Sequence, residues 1–267
     1  MATRVAMGEE RSFSVGRVLS RAFGTLGDNP VATFGIAFLF GAIPQALYAY
    51  FIGSTLTMAG QASSIATTTA TIAVSMASLV LFLLLSMLVQ GALVRATLAH
   101  AGGQRAGLSE CIGAGLSKAV PLIALTILLI LGIMAGFVLF VVPGVILYLM
   151  WSVAIPALVA EEGGVFAAFS RSRFLTKGAR WRIFGLQVVL LAIVWLLSAL
   201  MGAVMLAGGV TPATGSGGGF SLPYLLLSAV TNLLTIALWS TAQASLYIDL
   251  RAWKDGPQSQ DLADIFA

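Results

Sequence analysis

The sequence predicts an all-α, polytopic membrane bundle of six transmembrane helices, with short amphipathic helices lying along one side. Three observations carry this. Of 267 residues, 59% are hydrophobic and 9% charged, whereas a soluble domain is about a quarter charged. The 14 basic and 10 acidic residues gather in four clusters, leaving charge-free runs at 29–94, 119–160 and 183–248. Each run has a turn signal near its middle and is long enough for two apolar helices of about 20 residues.

In chain order, residues 12–28 read as an amphipathic helix. Phe13, Val15, Val18, Leu19, Ala22, Phe23 and Leu26 recur at three- and four-residue steps, and Arg17 and Arg21 share the opposite face. Ser12 fits the N-cap and Asp28-Asn29-Pro30 the end. Such a helix either lies in the membrane interface with its arginines among headgroups or packs under the bundle as support. Spans follow at 31–52 and 72–97, divided by the small polar stretch from Gly53 to Thr71. Spans at 119–141 and 145–160 are divided by Val142-Pro143-Gly144. Spans at 180–206 and 223–250 are divided by the Gly/Ser/Thr/Pro-rich stretch from Ala207 to Pro223, and 251–267 forms a tail. The segment 145–160 has about 16 residues, near the lower limit for a span. Pro156 kinks it, and a re-entrant pair across 119–160 is the alternative. The whole chain, 1–267, reads as one membrane domain.

All 14 Lys and Arg fall on one side of this arrangement. Positive loops stay in the cytoplasm, which predicts that both termini are cytoplasmic. No signal peptide is expected, because the first apolar run starts near residue 31 and is longer than a leader's apolar core. Leu108, Ile112 and Leu116 precede the third span, and Val165, Phe166 and Phe169 precede the fifth. The chain therefore reads as three loose units, each an interfacial helix followed by a transmembrane hairpin.

Much chemistry is excluded. With one cysteine, Cys111, no intrachain disulfide forms, and with one histidine, His100, no ordinary zinc site does. No metal and no cofactor is expected. The net charge of +4 is accounted for by topology, so nucleic acid is not expected as a partner. No charged residue lies mid-span, which argues against ion-coupled transport. The larger polar side chains within spans, Gln45, Gln90, Gln187, Asn232 and Gln243, read as bonds between helices. Gly132, Ala135 and Gly136, and likewise Gly202 and Ala203, permit close helix contact.

The densest charge is Arg171, Arg173, Lys177, Arg180 and Arg182, with Trp181 among them and Gly178 as a helix stop. Guanidinium groups bind phosphate through paired hydrogen bonds, and Trp favours the interface. The run reads as a topology anchor, as a site for anionic phospholipid headgroups, or as a dock for another membrane protein. Glu161 and Glu162 read as structural partners of the arginines rather than a catalytic pair, since no nucleophile or metal accompanies them. Asp249 and Arg251, two residues apart, lie on different helix faces and seek different partners.

The stretch from Val142-Pro143-Gly144 through Trp151, Pro156 and Glu161 to Ala167-Ala168-Phe169-Ser170-Arg171-Ser172-Arg173-Phe174-Leu175-Thr176-Lys177-Gly178-Ala179-Arg180-Trp181-Arg182-Ile183-Phe184-Gly185 is more specific than apolar text. It resembles the membrane domain of glycerophosphoryl diester phosphodiesterase and related six-span bacterial proteins. Leu246-Tyr247-Ile248-Asp249-Leu250-Arg251 is similar to that family's closing segment, and Phe13 to Pro30 to its opening. Met150 stands where the family often has arginine, and Phe169 where it has leucine. The resemblance implies that the hydrolase chemistry belongs to a separate soluble domain using paired histidines and carboxylates, which this chain does not contain. The expected function is a non-enzymatic accessory or scaffold protein that binds membrane phospholipids or a partner protein. A lipid or small-molecule transporter without ion coupling is the alternative, and a membrane-embedded lipid enzyme a more remote one.

Overall fold

Apolar residues that run on without charge have no reason to alternate, and the backbone satisfies its own polar groups by coiling. The computed structural model describes residues 14–28, 30–48, 69, 72–78, 90–99, 113, 116–210 and 221–256, and no strand occurs among them. Helix α1 spans Val15–Asp28, and α2 spans Pro30–Ala37. A π-helical turn, Phe38–Ala42, then leads into helical residues 43–48. There Ile43 donates its N–H to the Phe38 carbonyl, and Pro44 has no N–H for the carbonyl four residues back, so the coil widens. Residues 72–78 and 90–99 are helical. Then come α3 (Ala119–Leu139), α4 (Val141–Met150), α5 (Ala154–Ala160), α6 (Gly164–Thr176), α7 (Arg180–Ala207) and α8 (Leu222–Asp255).

Among the described residues, four stretches are long and apolar enough to cross a membrane: Ala119–Leu139, Val141–Ala160, Arg180–Ala207 and Leu222–Asp255. Their outer faces are bare hydrocarbon. Val138 is 85% exposed, Leu206 84% and Trp195 73%. Soluble monomers rarely show such continuous apolar surface, and a lipid solvent accounts for it. The chain is a membrane protein. The expected spans 31–52 and 72–97 are helical at 31–48, 72–78 and 90–97, while 49–52 and 79–89 lie outside the described residues. So do Ser12, Phe13, His100, Leu108, Cys111, Ile112, the glycines at 217–219, and 257–267.

The hairpin of α3 and α4 corrects one expected boundary. The chain reverses at Phe140, whose backbone is extended (φ −166°, ψ 155°), and not at Val142-Pro143-Gly144. Pro143 instead occupies the first turn of α4. The N–H groups of a first turn have no acceptor within the helix, so a proline there forfeits nothing. Gly144 is used for packing. A Cβ on Gly144 would come within 2.6 Å of the Phe137 ring. A Cβ on Gly136 would stand 3.0 Å from the Gly144 Cα, and one on Gly132 2.5 Å from the Trp151 ring. Gly132 and Gly136 are four residues apart on one face, the small-residue spacing that lets membrane helices touch at the backbone.

The return segment is broken where Pro156 requires it. Pro156 has no N–H for the Ser152 carbonyl, and the helix is interrupted by a turn at 151–153. Taken together, α4 and α5 cover Val141–Ala160, 20 residues, which relieves the shortness of the expected 145–160.

At one end of the bundle a core joins Val18 and Ala22 of α1, Leu149 of α4, Ala157 of α5, Leu175 of α6, Ile183, Leu186 and Leu190 of α7, and Leu238, Leu246 and Leu250 of α8. Helix α1 is thus packed on the bundle, with Val18 and Ala22 fully buried and Phe23 half exposed. Ile36, Ala37, Ala92, Leu93, Ala96 and Ala237 form a second cluster, through which α2 and residues 90–99 meet α8. Helix α8 is the common spine. Its 34 residues extend about 51 Å at 1.5 Å each, well beyond an apolar layer of about 30 Å. Its last turns stand among the charges.

Candidate functional site

The charged side chains converge at the end of the bundle where α5, α6 and α8 meet. Lys118, just before α3, donates from Nζ to the carbonyls of Leu158 (2.8 Å), Val159 (3.0 Å) and Glu161 (3.1 Å). The last carbonyls of a helix have no partner of their own and carry partial negative charge, so an ammonium there satisfies both needs. Glu161 then receives two donors on Oε1, Arg171 Nε at 2.8 Å and Tyr247 Oη at 2.7 Å. Arg171 also reaches α8. Its Nη1 donates to Asp255 Oδ1 at 3.2 Å, and its Nη2 meets Asp255 Oδ2. The bonded Asp255 carboxylate, and Glu161 on the other side, raise the Arg171 pKa above its already high value. One arginine therefore ties α5, α6 and α8 together.

The other terminus is tied by Asp249, only 4% exposed. Its Oδ2 accepts the Ser14 N–H at 3.3 Å, and its Oδ1 lies 3.5 Å from Arg17 Nε. A carboxylate at the positive end of α1 is favourably placed. Arg251 Nε lies 3.8 Å from Asp255 Oδ2, one turn further on. Lys254 stands over the Trp253 ring at 4.2 Å.

The break after α4 is secured from α6. Ser172 Oγ and Thr176 Oγ1 both donate to the Met150 carbonyl, at 2.8 and 3.2 Å. That carbonyl is left over because Ala154 donates to Trp151 instead. Helix α6 ends in a type II turn, Thr176 to Ala179, with Gly178 at φ 89° and Ala179 N–H bonded to the Thr176 carbonyl at 3.1 Å.

The basic run is thereby divided. Arg171 is turned inward, while Arg173, Lys177, Trp181 and Arg182 remain exposed, Trp181 at 87%. Trp181 packs edge-on against Phe184, at the head of a face continued by Val188 and Leu191. Two further arginines are buried in part. Arg21 Nη1 and Arg180 Nε are shielded from solvent and have no hydrogen-bond partner among the described residues. Arg21 adjoins Ala22 and Arg180 adjoins Ala179, and both alanines belong to the core where α1 touches α7. Glu162 is exposed and takes no part in these contacts, unlike the expected pairing of both glutamates.

Midway along the helices a cavity of about 130 Å³ opens beside the break. Gln90, Tyr148, Ser152, Trp151, Trp239 and Gln243 are among the residues that line it. The Tyr148 hydroxyl donates to Gln187 Oε1 at 3.3 Å. Gln243 Oε1 is shielded and has no partner among the described residues.

Sequence reasoning did not single out Tyr247 or Asp255 as partners of the arginines, nor Lys118 as a cap. Tyr247, Arg251 and Asp255 lie four residues apart on one helix face, a spacing that could have joined them. Compared with protein-family models, with curated proteins and with solved structures, the chain matches none.

Proposed function

We propose that this chain is a six-span protein of a bacterial inner membrane, with both termini cytoplasmic, that binds anionic phospholipid headgroups at its charged face and performs no catalysis itself. The observation that carries this reading is the pair of shielded guanidinium nitrogens, Arg21 Nη1 and Arg180 Nε, on the two helices of one contact and without an acceptor among the described residues. A buried cationic donor without an acceptor is costly. At the rim of a bilayer, the abundant anionic acceptor is lipid phosphate, which guanidinium groups bind in paired fashion. The exposed Arg173, Lys177 and Arg182, with Trp181 leading onto an apolar helix face, extend the same chemistry outward. The resemblance to the phosphodiesterase membrane domain belongs to this reading. Residues of that signature, Glu161, Arg171, Ser172, Thr176, Tyr247 and Asp249, supply much of the bonding at this face. A scaffold that presents bound lipid to a partner protein is the role such a site serves. The transporter alternative draws on the cavity beside the break, but 130 Å³ is far too small for a phospholipid.

The test is retention of phosphatidylglycerol over phosphatidylcholine by the purified protein, measured by native mass spectrometry. Arg21→Gln/Arg180→Gln should lose most of the preference, and 1 M salt should weaken it, since screening then acts within about 3 Å. Equal retention by wild type and the double variant would overturn the reading.

A further inference from the structure

We propose that α6 is a strap on the broken span: seated, it holds α4 and α5 together across the break, and it swings off as a unit about a glycine at each end. The break leaves two backbone bonds unmade. Ala154 gives its N–H to the Trp151 carbonyl at 3.0 Å, so the helical bond to the Met150 carbonyl is lost. Pro156 has no N–H for the Ser152 carbonyl. A span with such gaps needs support from its neighbours. Helix α6 supplies it on both sides. Before the break, Ser172 Oγ donates to the Met150 carbonyl at 2.8 Å, and Thr176 Oγ1 lies 3.2 Å from the same oxygen. In the break, Trp151 stands edge-on to Phe169 with ring centroids 5.0 Å apart. Beyond α5, Arg171 Nε donates to Glu161 Oε1 at 2.8 Å while its Nη1 reaches Asp255 Oδ1 at 3.2 Å.

The seat is light. Of the 13 residues of α6, Ala168, Ser172, Leu175 and Thr176 are buried, and Leu175 alone among them is a large apolar side chain. Phe166, Ser170, Arg173, Phe174 and Lys177 face outward. The ion pair is part-exposed, 22% at Arg171 and 31% at Glu161, and so is weakened by screening. Segments with few buried apolar contacts open locally, as a unit, before the rest of a fold. The ends allow it. Gly164 begins the helix at φ 73° and Gly178 follows it at φ 89°, a region that glycine enters without steric cost. A Cβ on Gly164 would meet nothing within 4 Å, so packing does not require glycine there and the backbone does. Release of the strap frees the Met150 carbonyl and the turn at 151–153. The charged face thus sets how firmly the span beneath it is closed.

The test is hydrogen exchange by mass spectrometry on the full chain in lipid nanodiscs. Arg171→Gln should speed exchange in 154–160 and 164–176 by one common factor, about tenfold, the worth of its charge-assisted bonds after screening. Exchange in 119–139 and 183–207 should not change. Ser172→Ala should speed the same two segments about fivefold, the worth of one neutral hydrogen bond. A second readout uses Ser152→Cys with Cys111→Ser, which leaves one cysteine in the chain. Adding Arg171→Gln should speed its labelling by a water-soluble maleimide by the factor seen in exchange. If Arg171→Gln does not fold, Ser172→Ala carries both readouts. Exchange that rises in α6 without α5, exchange that rises alike along the whole chain, or unchanged labelling at residue 152 would each overturn the proposal.

Discussion

Gly136→Ala adds one methyl where α3 and α4 touch. That methyl would sit 2.9 Å from Leu147 Cδ1, 3.0 Å from the Gly144 Cα and 3.2 Å from the Gly144 nitrogen. Carbon atoms rest at about 3.5–4.0 Å, so the hairpin must open by roughly 0.5–1 Å. Leu147 can rotate away, but the Gly144 backbone moves only if α4 moves with it. A gap of that width forfeits about a quarter to a half of the dispersion energy of the contacts it parts. Overpacked cores lose about 1–3 kcal/mol by this route. Alanine returns at most about 1 kcal/mol through its better helix propensity. With that full offset the expected net loss is about 0–2 kcal/mol, and relative to an unhindered glycine-to-alanine change it is about 1–3 kcal/mol. Gly202→Ala in α7 is the control, because a Cβ there meets nothing within 4 Å. It should leave stability unchanged or raise it by up to about 1 kcal/mol. Reversible unfolding in mixed micelles compares the two. If Gly136→Ala proves as stable as Gly202→Ala, the hairpin is not held at backbone contact and the argument fails.

Three further outcomes follow from the charged face. Lys118→Met removes three charge-assisted bonds to the carbonyls that end α5. It should cost about 2–3 kcal/mol and speed hydrogen exchange at 158–161, which mass spectrometry reads directly. Tyr247→Phe removes one donor from Glu161 and should cost about 1 kcal/mol. Arg171→Gln, which leaves Glu161 and Asp255 without their shared cation, should cost more than Tyr247→Phe in the same unfolding assay.

Helix positions were legible because charge marks where the chain leaves the bilayer. Ala119, Arg180 and Leu222 start helices within a residue of their expected places. The turn after α3 was not legible, because it is made by one extended phenylalanine. No glycine or proline marks Phe140, and Pro143-Gly144 attracted the boundary away from it. The division of the basic run was hidden too. Arg171 and Arg173 are alike in sequence, and only the approach of Glu161 after α5 and of Asp255 from α8 turns one inward. Ser172 and Thr176 read as ordinary small polar residues. Their common acceptor, the Met150 carbonyl, is free only because the helix is broken there. The arginines, Trp181, Glu161 and Asp249 could be named in advance from residue type and spacing. Their assignment to partners needed the packing of α8.

The bond between Ser14 and Asp249 links residues 235 positions apart. A ribosome adds about 5–20 residues per second, so α1 is made roughly 12–47 seconds before the carboxylate that caps it. During that interval its buried face, Val18 and Ala22, has no α8 to lie against. Until then nascent α1 has only the membrane surface and the earlier helices, α2 and α7 among them, to lie against. Completion of the last helix is then the event that locks the first, and a chain stalled before α8 would betray itself by an undocked leading helix.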